Sequence, residues 1–373
     1  MGCMAVSGAA VLPAQAEENL EISCKAAYLC DYESGTSVYA KNETKRLPIA
    51  SMCKIMTLLL SFEAVEGGEL SYSEEITVSE NASGMGGSQV FLGTGLSYQA
   101  EELMKTVAVC SANDSCVALA ERIAGSESLF VAKMNERAKE LGAENTLFAN
   151  CTGLPKDPQY SCAKDVAVML RELIKHQKYF EFSKVWLEDF AHPDGRTTQI
   201  TNTNKLIRFY DGCDGGKTGF TNEAGFCIAA TAKRADMRLI SVVIGSESSK
   251  VRFQSAKNLM NYAFNCFESK LMLEAGKEIE CTVPVKGSKT KCLSLAAKNS
   301  LYAFMKKGQD EGFHVDYVLP EEVSAPVKQG DCVGEAILYW EGVEQGRTCL
   351  LAAQDAPRYS WWDAVRESAR NWN

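Results

Sequence analysis

From Ser51 to Val65 the chain is apolar on nearly every side: Ile55, Met56, Leu58, Leu59, Leu60 and Phe62 leave no polar face, and Gly67-Gly68 ends the run. A helix that is hydrophobic all round is a buried one, and Gly is a favoured stop. The fold must therefore wrap other elements around this segment. Ser51 and Lys54 stand at its start, with Pro48-Ile49-Ala50 ahead of them. A spacing of three is about one helical turn, so both side chains share a face. A serine hydroxyl is a weak nucleophile and needs an adjacent base. A lysine can serve if desolvation or a neighbouring cation lowers its pKa, and the apolar helix offers the first. The backbone N–H groups at a helix start favour developing negative charge. A lone Ser-x-x-Lys still means little, because a capping serine beside a surface lysine gives the same pattern.

Two later segments change that reading. Ser111-Ala112-Asn113 follows the apolar stretch 106–110 and precedes a helical pattern. All three of Ser, Asn and the following Asp114 cap helices well. In the functional reading Ser111 relays a proton to a leaving amine, while Asn113 holds a substrate amide and the Lys54 side chain. Lys217-Thr218-Gly219 lies in Asp214-Gly215-Gly216-Lys217-Thr218-Gly219-Phe220-Thr221. A phosphate-binding loop would need a glycine where Asp211 stands, and a helix where a strand pattern follows. On a strand, Lys217 and Thr218 suit a carboxylate, and Gly219 permits close approach of a substrate backbone. Together the three motifs supply a serine, a lysine base, a Ser/Asn pair and a second lysine, a set that performs acyl transfer without histidine. The three histidines, His176, His192 and His314, stand in no metal or triad pattern, so a His-based hydrolase lacks its base. Cys53 points to another helix face than Ser51 and reads as packing.

The net charge of −9 and the lack of a basic block argue against nucleic acid as a partner. No motif calls for a metal or another cofactor. The 373 residues suffice for two domains. No run of about 18 apolar residues would span a membrane. Residues 1–16 read as the tail of a signal peptide, with Ala14-Gln15-Ala16 fitting the small-x-small cleavage pattern. Export to the cell-wall side of the cytoplasmic membrane is therefore expected. Fifteen cysteines, with no C-x-x-C, exclude a zinc ribbon. Many sit beside apolar residues, as in Phe226-Cys227-Ile228, so we expect mostly reduced, buried thiols.

Residues 25–41 read as a β-hairpin. Helical patterns cover 99–109, 114–124, 129–141, 163–175 and about 250–267, and strands cover 225–231 and 237–244. This gives an α/β (α+β) layer fold in which N- and C-terminal strands share one sheet. Composition shifts near Glu274-Ala275-Gly276. We therefore expect a catalytic domain over 17–275, a small β-rich domain over 276–354 and a tail over 355–373. In the tail Trp361, Val365, Ala369 and Trp372 fall roughly on one face, suited to a membrane interface.

With these motifs in place the chain resembles the serine D-alanyl-D-alanine carboxypeptidases, the low-molecular-mass penicillin-binding proteins. The likeness extends to Gly87-Ser88-Gln89-Val90-Phe91-Leu92, and to Asn150-Cys151-Thr152-Gly153-Leu154-Pro155 with Ala163-Lys164-Asp165. It implies a β-lactamase/DD-peptidase-like domain, helices around an antiparallel sheet, with a small β-rich domain after it. It implies catalytic roles for Ser51, Lys54, Ser111, Asn113 and Lys217. Substrate binding falls to Lys217, Thr218, Gly219, Phe220 and Thr221, with an oxyanion hole from the N–H groups of Ser51 and Phe220. The implied partners are a peptidoglycan stem peptide ending in D-Ala-D-Ala and β-lactams that mimic it. A membrane surface is a further partner, reached through the amphipathic tail. Endopeptidase or β-lactamase action on the same site is an alternative, as is a non-catalytic penicillin-binding scaffold. Asp157 and Asp165 are the nearest candidates for a deacylating carboxylate, and Asp165 reads as structural.

Overall fold

The structure is a computed structural model that describes residues 20–309 and 311–360. The expected tail helix lies mostly outside the described residues, as does the expected signal segment. The chain divides into two compact units, one built from residues 20–32 and 37–265, the other mainly from residues 266 onward.

The first unit is organised by one antiparallel sheet. Strands β1 (Ala26–Asp31) and β2 (Ser37–Lys41) form the expected hairpin. Strands β3 (Cys213–Thr221), β4 (Gly225–Arg234) and β5 (Met237–Ser246) complete the order β2-β1-β5-β4-β3. The N-terminal strand β1 thus pairs with the late strand β5, Tyr28 opposite Val242, as the α/β reading requires. All six residues of β1 are buried, which fits a strand covered on both faces.

The apolar run is helix α1 (Lys54–Glu66), with Ile55, Met56, Leu58, Leu59 and Phe62 at 0 % exposure. It touches α2 (Ala100–Val109), α3 (Asn113–Ala124), α4 (Glu127–Glu140) and α5 (Ala163–Leu173), and also β3. Each large apolar side chain buried this way contributes about 1.5–3 kcal/mol. The helix around which everything packs therefore also carries Lys54 into the interior. Helix α6 (Ser249–Cys266) closes the unit.

The second unit is β-rich, as expected. Its six-stranded sheet runs 313–318, 332–340, 343–352, 292–297, 278–286, 323–324. Val283, Leu293, Leu295, Leu338 and Leu350 form its core. One expectation differs at the join. Residues 267–273, placed in the first domain by the composition shift near Glu274, form a strand that pairs with 301–306 in the second unit. Helix α6 passes into this strand at Cys266-Phe267 without a Gly or Pro break, so composition carries no signal there. Similarly, Ala356 pairs with Val327 and Arg358 with Ser288, so these two residues belong to this unit and not to a separate tail. All the described cysteines are free, and Cys30, Cys53, Cys116, Cys151, Cys162, Cys213 and Cys227 are buried.

Candidate active site

Ser51 sits in a 3-10 turn, Ala50–Cys53, that runs directly into α1. It is partly exposed, while Lys54 is fully buried. The one-turn spacing is realised as a hydrogen bond: Lys54 Nζ donates to Ser51 Oγ at 3.0 Å. The same ammonium donates to the Thr152 carbonyl. That carbonyl is held in place by its own loop, where Asn150 Oδ1 accepts N–H bonds from Thr152 and Gly153 at 3.2 and 2.7 Å. The first turns of α1 are tied to this loop on either side of Lys54. Cys53 Sγ donates to Asn150 O (3.3 Å) and Thr57 Oγ1 to Cys151 O (2.7 Å). Burial pushes the Cys53 thiol well above its ordinary range, so it packs and is not a nucleophile.

Lys217, on β3, is 1 % exposed. Burial and the Lys54 charge beside it push its ammonium down to about 7. Among the described residues it makes a single long hydrogen bond, 3.5 Å to the Thr218 carbonyl. Side chains from other elements hold β3 itself on either side of Lys217. Tyr179 OH accepts from the Gly216 N–H at 2.9 Å. Arg252, reaching from α6, donates through Nη1 to Gly219 O at 3.0 Å and Cys227 O at 3.2 Å. Neither Tyr179 nor Arg252 carries a motif, and the sequence reading missed both.

Gly219 was expected to admit a substrate backbone. In the structure the close neighbour is the chain itself: a Cβ at Gly219 would lie 2.7 Å from Ile49 O and 3.1 Å from Ser51 N. The glycine lets β3 lie against the turn that bears the nucleophile. It brings the Ser51 N–H beside the strand that carries Phe220. The Phe220 ring is half-exposed and packs on Phe226 with centroids 4.3 Å apart. Thr218 is buried, and the Thr221 hydroxyl accepts from Ala224 N (3.0 Å) in the turn between β3 and β4.

Ser111 is held at φ +67°, a conformation costly for a non-glycine residue. Its hydroxyl is buried and has no hydrogen-bond partner among the described residues. Asn113 differs from expectation. Among the described residues it makes no hydrogen bond to Lys54, which is bonded to Ser51 and Thr152; its Nδ2 donates to Gly86 O (2.6 Å), and its N–H to Ser88 O (2.7 Å). Its Oδ1 is buried and without a partner among the described residues. Asp114, unremarked in the sequence beyond its capping propensity, is fully buried and accepts the N–H groups of Val90 and Leu92, each at 3.1 Å. The second motif thus anchors a separate loop, 86–92.

A family described as D-alanyl-D-alanine carboxypeptidase matches residues 13–248, and one described as penicillin-binding protein 5, C-terminal domain, matches residues 267–358. The chain is 36% identical over 349 residues to D-alanyl-D-alanine carboxypeptidase DacF of Bacillus subtilis, covering 93% of this chain and 90% of that protein. It superposes on penicillin binding protein 5 from Haemophilus influenzae with a TM-score of 0.75 at 30% identity, over 93% of this chain and 100% of that one. It is also similar to penicillin-binding protein D2 from Listeria monocytogenes in an ampicillin-bound form. There the TM-score is 0.59 at 32% identity, over 66% of this chain and 99% of that one.

Proposed function

The chain belongs to the D-alanyl-D-alanine carboxypeptidase family, and from that premise we propose how its residues divide the work. The protein is a penicillin-binding serine peptidase that removes the terminal D-alanine from peptidoglycan stem peptides. It acts on peptidoglycan, in the periplasm or cell wall. No helix among the described residues is long and apolar enough to cross a membrane. We assign peripheral attachment to the Trp-containing segment 360–373, which lies almost wholly outside the described residues.

In the assignment, Ser51 Oγ attacks the penultimate D-Ala carbonyl while Lys54 takes its proton. The N–H groups of Ser51 and Phe220 receive the oxyanion; one such donor is worth about 10²–10³ in rate. Ser111 passes a proton to the departing D-alanine amine, and water then hydrolyses the acyl-enzyme. Asn113 Oδ1, buried and without a partner among the described residues, accepts the substrate amide N–H. Lys217 and Thr218 hold the terminal carboxylate. The observation that carries this reading is the 3.0 Å Lys54–Ser51 hydrogen bond at the head of a buried helix. Release of D-alanine from diacetyl-Lys-D-Ala-D-Ala is expected for the wild type. In Ser51→Ala it should fall by about 10⁴-fold or more. Release that survives in a folded variant would assign the nucleophile elsewhere.

Lys217 gives a pH dependence with a definite sign. Its carboxylate-binding form is the protonated one, and the free enzyme loses that proton as pH rises through about 7. The kcat/KM, which reports the free enzyme, should therefore fall on the alkaline side, mainly through a rising KM. A peptide ending in a C-terminal amide should lack this limb. The same depressed pKa means the unfolded chain binds more protons than the folded one between about 7 and the ordinary lysine value of 10.5. Through this residue, stability rises with pH across that window. An alkaline fall equally steep for the amide peptide would remove Lys217 from carboxylate binding.

A further inference from the structure

The loop of residues 90–93 is fixed by side chains to an unusual degree. Asp114 takes the Val90 and Leu92 N–H groups, and Tyr98 OH takes the Gly93 N–H at 3.2 Å. The Thr198 hydroxyl donates to Val90 O (3.3 Å) and Arg196 Nη1 to Phe91 O (3.3 Å). Thr198 and Tyr98 are themselves joined through buried His192, each at 2.9 Å. At the centre of these restraints Phe91 has φ +64° and a side chain 56 % exposed. An aromatic residue in this region is a genuine outlier, and exposing its ring forgoes the burial that aromatic side chains usually gain. Neither feature helps the fold. Strain of this kind persists only where surrounding structure over-determines it, and it clusters at sites that handle ligands.

The position of the loop says which ligand. Its earlier residues, Gly86 and Ser88, are bonded to Asn113, and a Cβ on Gly87 would touch both the Asn113 amide and Leu154. Lys217 and Thr218 on β3 are assigned to the substrate's carboxylate end. The loop is thus tied both to Asn113, assigned to the substrate amide, and to Leu154, two residues from the carbonyl that receives Lys54, and so borders the peptide assigned to that site.

We propose that Phe91 is a substrate-contact residue that reads the stem peptide upstream of D-Ala-D-Ala, its ring lying against the aliphatic stem of the preceding residue. This rests on the carboxypeptidase reading above. The ring is displayed in a strained, side-chain-clamped loop so that it meets the peptide without having to be ordered on binding.

The test compares two peptides, diacetyl-Lys-D-Ala-D-Ala and acetyl-D-Ala-D-Ala, which lacks the upstream residue, on wild type, Phe91→Gly and Phe91→Ala. An apolar contact of this size is worth roughly 10–200-fold in discrimination. Both variants are expected to lose at least about tenfold in kcat/KM on the longer peptide, mainly in KM, and less than about threefold on the shorter one. Glycine accepts φ +64° without strain, so Phe91→Gly should melt no lower than wild type. Equal losses on both peptides with a lowered melting temperature would make Phe91 a structural residue. Unchanged kinetics on both would remove it from substrate recognition. Should the wild type release no D-alanine at all, the carboxypeptidase reading fails by itself. Binding of the same two peptides to Ser51→Ala, with and without Phe91→Ala, then decides the role of Phe91: a preference for the longer peptide that survives loss of the ring overturns it.

Discussion

Lys54→Met is expected to leave a folded protein with almost no D-alanine release. Methionine fills a similar apolar channel with an unbranched, adaptable side chain, so α1 keeps its packing. What is lost is the group 3.0 Å from Ser51 Oγ that can take its proton. General-base catalysis contributes about 10²–10⁴-fold, and acylation by a penicillin should fall by the same factor, since both reactions begin with the same proton transfer. The Thr152 carbonyl and the Ser51 hydroxyl lose a hydrogen-bond partner, which costs about 1–3 kcal/mol of stability. Removal of the positive charge also relieves Lys217, whose ammonium Lys54 helps to depress, so its titration should move upward. A variant that folds and retains activity within tenfold of wild type would take the base role from Lys54.

Gly153→Ala should be nearly as damaging, through geometry alone. Gly153 has φ +82°, and an added Cβ would lie 2.1 Å from Ala50 O and 2.9 Å from Ser51 N. Both neighbours are backbone atoms, so relief requires moving either the turn that bears Ser51 or the loop whose Thr152 carbonyl orients Lys54. The left-handed conformation costs an alanine about 1–2 kcal/mol, and the overlap adds to it. We expect a loss of at least about 3 kcal/mol together with activity reduced by two orders of magnitude or more. Gly142→Ala separates the two effects, because Gly142 has φ +73° with none of the described residues within 4 Å of an added Cβ. That variant should lose only the conformational part and keep its activity. Similar behaviour of the two variants would show that the close approach at Gly153 does not position the site.

The sequence is most informative where function imposes a local spacing. Ser51 and Lys54 lie one turn apart on a helix whose apolar character demands burial, so their contact follows from periodicity. The shared sheet of β1 and β5 is legible because strand patterns stand at both ends of the helical region. Partners chosen by tertiary contact are not legible. Nothing near Asn113 in the sequence says that its amide reaches Gly86, or that Asp114 closes a loop more than twenty residues earlier. Asp114 could have been suspected as a carboxylate beside an apolar helix segment, but N-cap chemistry explains it as well. The 3-10 turn at Ser51, the approach of Gly219 to Ile49, and the hold of Arg252 on Gly219 and Cys227 depend on how β3 meets α1 and α6. The domain join at Cys266 is hidden for the opposite reason: helix passes into strand with no change in composition.

The measurement that tests the central claim most directly is the site of covalent attachment of a penicillin. After a brief reaction of the full chain with a labelled penicillin and proteolysis, peptide mapping should place one equivalent of label on Ser51. The Lys54→Met and Ser51→Ala variants should remain unlabelled over the same interval. Label on Cys53, on Ser111 or on any other residue of the wild type, or label that persists in Ser51→Ala, would contradict the assignment of Ser51 and Lys54 as nucleophile and base.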